Sequence, residues 1–497
     1  MAGIGFELKR LFSKKGLLAT VRAYGYAGIV TTGPMILGVV LLLGVMFLAE
    51  WAGSVRQERE LLVSMITYSL LASLTLTSIF SMITTRCIAD MIYINEKTSV
   101  MPTFYGSIGI MLTIGVTGYG IFLFFAGIPL IYQVLCLILF ASLVVVWTEI
   151  NYLTAIKDYR NIILAFLVSL ISAFLIGFIL IWVFHLPVIA SLLGGVVCGY
   201  GIMMIWYFIL LYRYFPEGFG SCFSFLRWID RYPQLTLVGF FITLGLFGHL
   251  LIMWASRIGV QVQGLFYGAP QYDVPALVAF FSILITTINF VTSVETRFYP
   301  QYRDYFSLFN DGGSVGEIET SEKNMIRVLR EELGYLAQKQ LFATLIFIII
   351  GSLLLPKTNL GFSGEMLGIF RVLCVGYAFY AIGNSLMLVS LYFADNKGAL
   401  ISSAVFSVMS NLMTVLFMTG SNYLYGFGFL IGSAIFCLVA LIRLSVYISK
   451  LKYHVLSKQP IFAREVDGVF TRLCDRLEIR ALRKQRSRRK YFEKGQN

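Results

Sequence analysis

The stretch NIILAFLVSLISAFLIGFILIWVF, residues 161–184, is followed after three residues by VIASLLGGVVCGYGIMMIWYFILLY, residues 188–212. Neither run contains Asp, Glu, Lys or Arg. About 20 apolar residues in a helix span the hydrocarbon core of a bilayer, so each run crosses it once and the chain turns straight back. A β-barrel is excluded, because barrel strands alternate polar and apolar residues and these runs are continuous.

The same length criterion applied outward gives spans near 27–49, 62–84, 103–125, 129–150, 161–184, 188–212, 235–255, 275–294, 339–355, 366–393, 398–418 and 424–448. The run 339–355 is the shortest, with Gln338 to Gln340 expected at its wet end. The run 27–49 is about twice a signal-peptide core of roughly 7–15 residues and reads as an uncleaved helix. Composition agrees: 58% of the 497 residues are hydrophobic and 13% charged, against roughly 25% charged in a soluble domain. The expected fold class is an all-α polytopic membrane protein of about twelve transmembrane helices.

Orientation follows from Lys and Arg, which favour the cytoplasmic side. With the N-terminus inside, the outer segments hold only Arg56, Arg59, Arg257, Lys357 and Arg371, leaving 34 of the 39 basic residues inside. An odd helix count would scramble this split, so both termini are expected in the cytoplasm. Residues 450–497 carry a net charge of +9, which suits anionic lipid head groups at about 1 kcal/mol per basic residue. Nucleic acid is not an expected partner, since insertion topology alone produces basic inner flanks. In this tail Val466, Phe470, Leu473 and Leu477 recur at helical spacing, as do Ile4, Leu8, Leu11 and Phe12 at the N-terminus opposite Lys9, Arg10, Lys14 and Lys15. The tail run reads as a surface-lying or partner-bound helix, and the N-terminal run as an interfacial helix or a simple basic anchor.

The spans divide into a basic segment 1–26, a six-helix lobe 27–212, a linker 213–234, a second lobe 235–448 and a basic tail 449–497. Two echoes suggest parallel repeats. Thr84-Thr85-Arg86 follows the second span as Glu295-Thr296-Arg297 follows the eighth. Ala155-Ile156-Lys157-Asp158 likewise faces Ala394-Asp395-Asn396-Lys397. Arg86, Asp90, Lys157, Asp158, Glu295, Arg297, Asp395 and Lys397 are therefore either helix-end satisfiers or gates on the inner face. The segment 295–338 breaks the symmetry as a long loop, whose Met325, Leu329, Leu333 and Leu336 share one face. That face is either a docking surface or rests on the bundle.

Soluble chemistry has little to stand on. No Gly-Lys dipeptide exists for a phosphate-binding loop, and no GxSxG, HExxH or GxGxxG opens a βαβ unit. Seven scattered cysteines without CxxC, and three histidines, argue against a zinc site or disulfide framework. No cofactor and no metal are expected. Ionisable residues within spans cost about 2.5–3.5 kcal/mol each on insertion scales and read as functional. They are Glu149, His249 and Arg371, joined by the amides Asn151, Asn289, Asn384 and Asn411. Glu149 is expected to be partnered, hydrated by a cavity, or protonated. His249 and the asparagines are as well suited to packing, and Arg371 to snorkelling toward the outer interface.

The opening Met1-Ala-Gly-Ile-Gly-Phe-Glu-Leu-Lys-Arg-Leu-Phe12, with Arg22-Ala-Tyr-Gly-Tyr-Ala-Gly28 and Gly33-Pro34, closely resembles the PelG family of bacterial exopolysaccharide transporters. The resemblance implies a fold like the MOP flippases (the MATE-like type), with two six-helix lobes around a central cavity in the inner membrane. It further implies a cytoplasmic glycosyltransferase and membrane partners including a cyclic-di-GMP receptor, and an amino-sugar polysaccharide bound for a biofilm matrix. It carries over no site residue. A cation-coupled small-molecule or lipid-linked oligosaccharide exporter of the same fold is the alternative, and a scaffold that anchors a synthase is a third.

Overall fold

The computed structural model describes residues 28, 36–156, 159–215, 218, 220–310, 312–357, 361–457 and 468–479, without the side chains of 155, 156, 159, 160, 295 and 310. The N-terminal surface helix, Val466, Lys157 and Asp158 fall outside it.

Eleven helices among these residues are long and apolar enough to cross a membrane. A shorter apolar helix, α1 (Ile36–Trp51), occupies the first expected span. In the first half follow α2 (Arg56–Tyr93), α3 (Val100–Phe125), α4 (Leu130–Ile156), α5 (Tyr159–Trp182) and α6 (Val188–Tyr214). A short helix α7 (Leu226–Arg231) leads to α8 (Pro233–Trp254) and a hairpin of β1 (Val260–Gln263) and β2 (Phe266–Gly268). Then come α9 (Pro270–Phe280), α10 (Leu284–Ser293), α11 (Tyr299–Asn310), α12 (Val315–Leu354), α13 (Gly364–Tyr392), α14 (Asn396–Met418), α15 (Phe427–Ser449) and α16 (Leu451–Ser457). A last helix, α17, covers 469–479.

Two clusters of buried apolar side chains organise the bundle. One runs from Leu41 to Leu235 and takes in Val262, Phe266 and Cys474; the other runs from Val238 to Leu451. The same device closes each half. On α6, a Cβ at Gly195 would lie 2.5 Å from the Ala173 carbonyl of α5, and one at Gly199 2.7 Å from that of Ser169. On α15, Gly428 and Gly432 leave equally little room, 2.4 Å, against Thr414 and Ser410 of α14. Small residues let helix backbones touch where lipid supplies no hydrophobic drive.

The segment 295–338 departs from expectation: it is helical on both sides of a tight turn. The eighth span runs through α9, α10, a π-helical turn at Val294–Phe298 and α11, then reverses into the 40-residue α12. The turn Gly312-Gly313-Ser314-Val315-Gly316 spells GxSxG, yet Ser314 caps α12: its hydroxyl accepts from Glu317 N (3.4 Å) while Glu317 Oε2 accepts from Ser314 N (2.9 Å). A reciprocal box of this kind starts a helix. Apolar 339–355 looked short because it is only the far part of that helix. The face of Met325, Leu329, Leu333 and Leu336 is not free for a partner, being packed in the second core with Tyr302, Tyr305, Phe306 and Phe309 of α11.

Candidate functional site at the seam between the lobes

The lobes meet along α2 and α8. A Cβ at Gly239 would lie 2.2 Å from Ser78 O, so the two backbones are in contact there. From α2, Tyr68, Leu71 and Met82 pack against the second core. Gly28 approaches Ile288 of α10 nearby.

At the end of the bundle away from most basic residues, the β-hairpin crosses the seam. Leu265 N donates to Ala126 O at the end of α3 (3.0 Å). Gly264 is required here, since its φ is +56° and a Cβ would lie 1.8 Å from that carbonyl. Tyr68 of α2 is gripped by the hairpin backbone: its hydroxyl accepts from Tyr267 N (3.0 Å) and donates to Tyr267 O (3.1 Å). Its ring stacks on Trp254 of α8, with centroids 4.7 Å apart at 16°, and meets Phe122 and Phe266. Gln57 Nε2 donates to Val262 O (3.4 Å). Asp273 backs the cluster, accepting from Trp254 Nε1 (2.9 and 3.1 Å) and from Ala269 N (2.9 Å). The aromatic stack adds about 0.5–1.5 kcal/mol per pair beyond area burial. This latch was missed in the sequence. Val260-Gln-Val-Gln263, then Gly264 and Phe266-Tyr267, is a hairpin pattern overshadowed by its apolar neighbours, and Asp273 lies two residues before the expected start of its span.

The basic end is held by charge. Arg86 Nε pairs with Asp90 one turn on (3.1 Å) and lies over the Tyr232 ring (5.4 Å). Trp228 of α7 donates to Asp90 Oδ2 (2.9 Å), which ties the linker to α2. Arg297, on the π turn beside Glu295, pairs with Glu332 of α12 (2.8 Å). The two echoed arginines therefore have different partners. Asp395 accepts two hydrogen bonds from Arg443 (2.7 and 2.9 Å) and caps α14 through Gly398 N (3.1 Å), while Lys397 is exposed.

Within the spans the candidates separate. Glu149 is 0% exposed, and neither carboxylate oxygen has a hydrogen-bond partner. Among the described residues no ion pair includes it. His249, equally buried, has Nδ1 2.8 Å from Tyr272 Oη and its ring against Phe429 (4.3 Å). Asn411 Nδ2 donates to Leu244 O and Ser407 O, so it joins α14 to α8. Asn289 is half-buried on α10, and its Oδ1 accepts from Lys339 Nζ (3.4 Å). Asn151 and Asn384 are half-buried. Arg371 is exposed and donates to Ser352 Oγ (3.0 Å). Gln340, expected at a wet helix end, is 0% exposed. It bonds Thr286 Oγ1, Ser282 O and Thr344 Oγ1, joining α12 to the eighth span.

One trio on α17, Cys474, Asp475 and Glu478, has ligand atoms within 4.8 Å of one another. Arg227 already donates to both carboxylates (2.9 and 3.1 Å). Burial pushes the Cys474 thiol up to about 11. The trio is a docking contact for α7, with no vacant ligand set.

The architecture is that of the MATE-like transporters of the MOP superfamily. An outward-facing multidrug resistance MATE transporter matches with a TM-score of 0.55 at 14% identity, covering 86% of this chain and 96% of that one. A MATE protein in its straight conformation gives 0.56 at 12% identity over the same shares. A MOP superfamily transporter from Pyrococcus furiosus gives 0.53 at 13%, again over 86% and 96%. No curated protein matches the chain. The sequence model of the family described as "PelG: Putative exopolysaccharide Exporter (EPS-E)" matches residues 1–456, and the chain belongs to that family. It is a multi-pass membrane protein, and the family and fold are those of transporters, here of exopolysaccharide.

Proposed function

We propose that the chain passes a growing amino-sugar exopolysaccharide from a cytoplasmic glycosyltransferase across the inner membrane, between its two lobes, with the basic end in the cytoplasm. The synthase complex, including a cyclic-di-GMP receptor, docks at that end. One observation carries this reading: the seam is bridged at its far end by a hairpin of the second lobe seated on the first, so lifting one latch opens an outlet. Glu149 is the coupling group, a carboxyl that takes up and releases a proton or cation within the first lobe. Asn289 and Lys339 present polar groups to the passing chain. Arg86, Arg297 and their carboxylate partners border its entry.

The test is a reversible cross-link. In a background lacking exposed Cys198 and half-buried Cys222, Gln57→Cys and Val262→Cys are bridged with a short reducible thiol reagent in polymer-secreting cells. Secretion is expected to stop with the protein still in the membrane, and to resume on reduction. Undiminished secretion with the bridge formed excludes the outlet. A deletion strain that keeps its polymer and becomes drug-sensitive moves the assignment to small-molecule export.

A further inference from the structure

Helix α17 lies beyond residue 456, where the family match ends. Its Thr471, Asp475 and Glu478 are engaged by α7. Asp230 Oδ2 accepts from Thr471 N (2.6 Å) and Thr471 Oγ1 (2.8 Å), capping the helix from another part of the chain. A Cβ at Gly468 would lie 2.1 Å from Asp230 Cγ, so the approach needs glycine. Arg227 grips Asp475 and Glu478 on the same side, and Cys474 is buried between.

The depth of this docking site is set by the segment before α7. A Cβ at Gly218 would meet Thr98 O, and one at Gly106, two turns into α3, would meet Cys222 O. The linker therefore lies against the first turns of a membrane span, and α7 and α17 with it lie at the level where the spans begin. At 100° per residue, Val469, Phe470 and Leu473 fall on the side of α17 turned away from α7. They are 77%, 40% and 44% exposed. Arg476 is exposed beside them, and the sequence continues Arg480-Ala-Leu-Arg-Lys-Gln-Arg-Ser-Arg-Arg-Lys490.

An apolar strip flanked by arginine at the level of the span ends has one chemical complement, the head-group layer of an anionic leaflet. We propose that residues 468–479 are a surface anchor. Val469, Phe470 and Leu473 insert among anionic lipids while Asp230 and Arg227 hold the helix to the linker between the lobes. Lipid charge thereby sets how firmly the linker is held.

The test uses the full chain in lipid nanodiscs with a nitroxide at Val469→Cys, reading accessibility to an apolar and to an aqueous relaxant. The label is expected in the lipid phase when phosphatidylglycerol is mixed into phosphatidylcholine, and in water with phosphatidylcholine alone. Arg476→Gln is expected to weaken seating by about fivefold, the share of one basic residue near an anionic surface, and Leu473→Gln to weaken it further. Both residues are exposed, so neither change disturbs folding. Inorganic phosphate added to phosphatidylcholine discs is expected to leave the label in water; a shift there would mean an anion site instead of a lipid seat. A label equally wet in both compositions overturns the proposal. So does a label that turns dry only when other membrane proteins are present.

Discussion

The two lobes share a helix plan and differ in how they hold the carboxyl groups they enclose. In the second, Asp395 is held by Arg443 and by the α14 cap, and Asp273 by Trp254 Nε1 and Ala269 N. In the first, Glu149 is equally buried and has no such counterpart among the described residues. A polar group with fixed partners is framework, because moving it breaks several bonds at once. A carboxyl without them is free to change its proton or its company. The carboxyls of the second lobe are thus framework, and the first lobe carries the one that can respond.

That contrast breaks first at Asp395. Asp395→Asn removes a bidentate pair and weakens a helix cap, leaving Arg443 uncompensated. Breaking a fully buried pair costs about 3–5 kcal/mol; Arg443 is 34% exposed, so about 2–3 kcal/mol is expected here. Membrane abundance and detergent melting temperature should both fall. Wild-type values for both would show that the pair is no framework. Glu149→Gln is the sharpening experiment. Secretion should drop about tenfold or more, with stability within about 0.5 kcal/mol of the parent. A matching loss of abundance would instead reveal a structural partner and erase the contrast between the lobes. The smallest effect belongs to Tyr68→Phe, which keeps the aromatic stack and deletes two hydrogen bonds of the latch. About 1 kcal/mol should shift latch opening roughly fivefold, read as faster thiol labelling of Val262→Cys, a position buried while the latch is closed. Unchanged labelling would assign the grip to the stack alone.

The spans were legible because each apolar run is long enough to cross and is bounded by charge. Less legible was everything decided by a partner remote in sequence. Gln340 looked like a wet helix end until Thr286, 54 residues away, was placed beside it. The amphipathic face of α12 is legible in Met325, Leu329, Leu333 and Leu336, yet its occupant is the chain's own α11. In the tail, Phe470 and Leu473 announce a helix, whereas the residues that dock it are Thr471, Asp475 and Glu478, whose partners Asp230 and Arg227 lie about 240–250 residues upstream. Glu149 could be picked out by composition alone, since a carboxylate in a greasy run is conspicuous whatever surrounds it.

Helix α12 is continuous over 40 residues from the turn at Ser314 to Leu354, with Arg297–Glu332 at its middle and Lys452–Glu319 near its tip. A helix of that length is a stiff rod of about 60 Å, of which roughly 35 Å lies outside the apolar stretch, so a tilt of about 10° within the bilayer sweeps its tip through about 6 Å. The rod is therefore a lever: a small rearrangement among the spans is magnified into a displacement at the far end, and a push on that end returns to the spans with mechanical advantage.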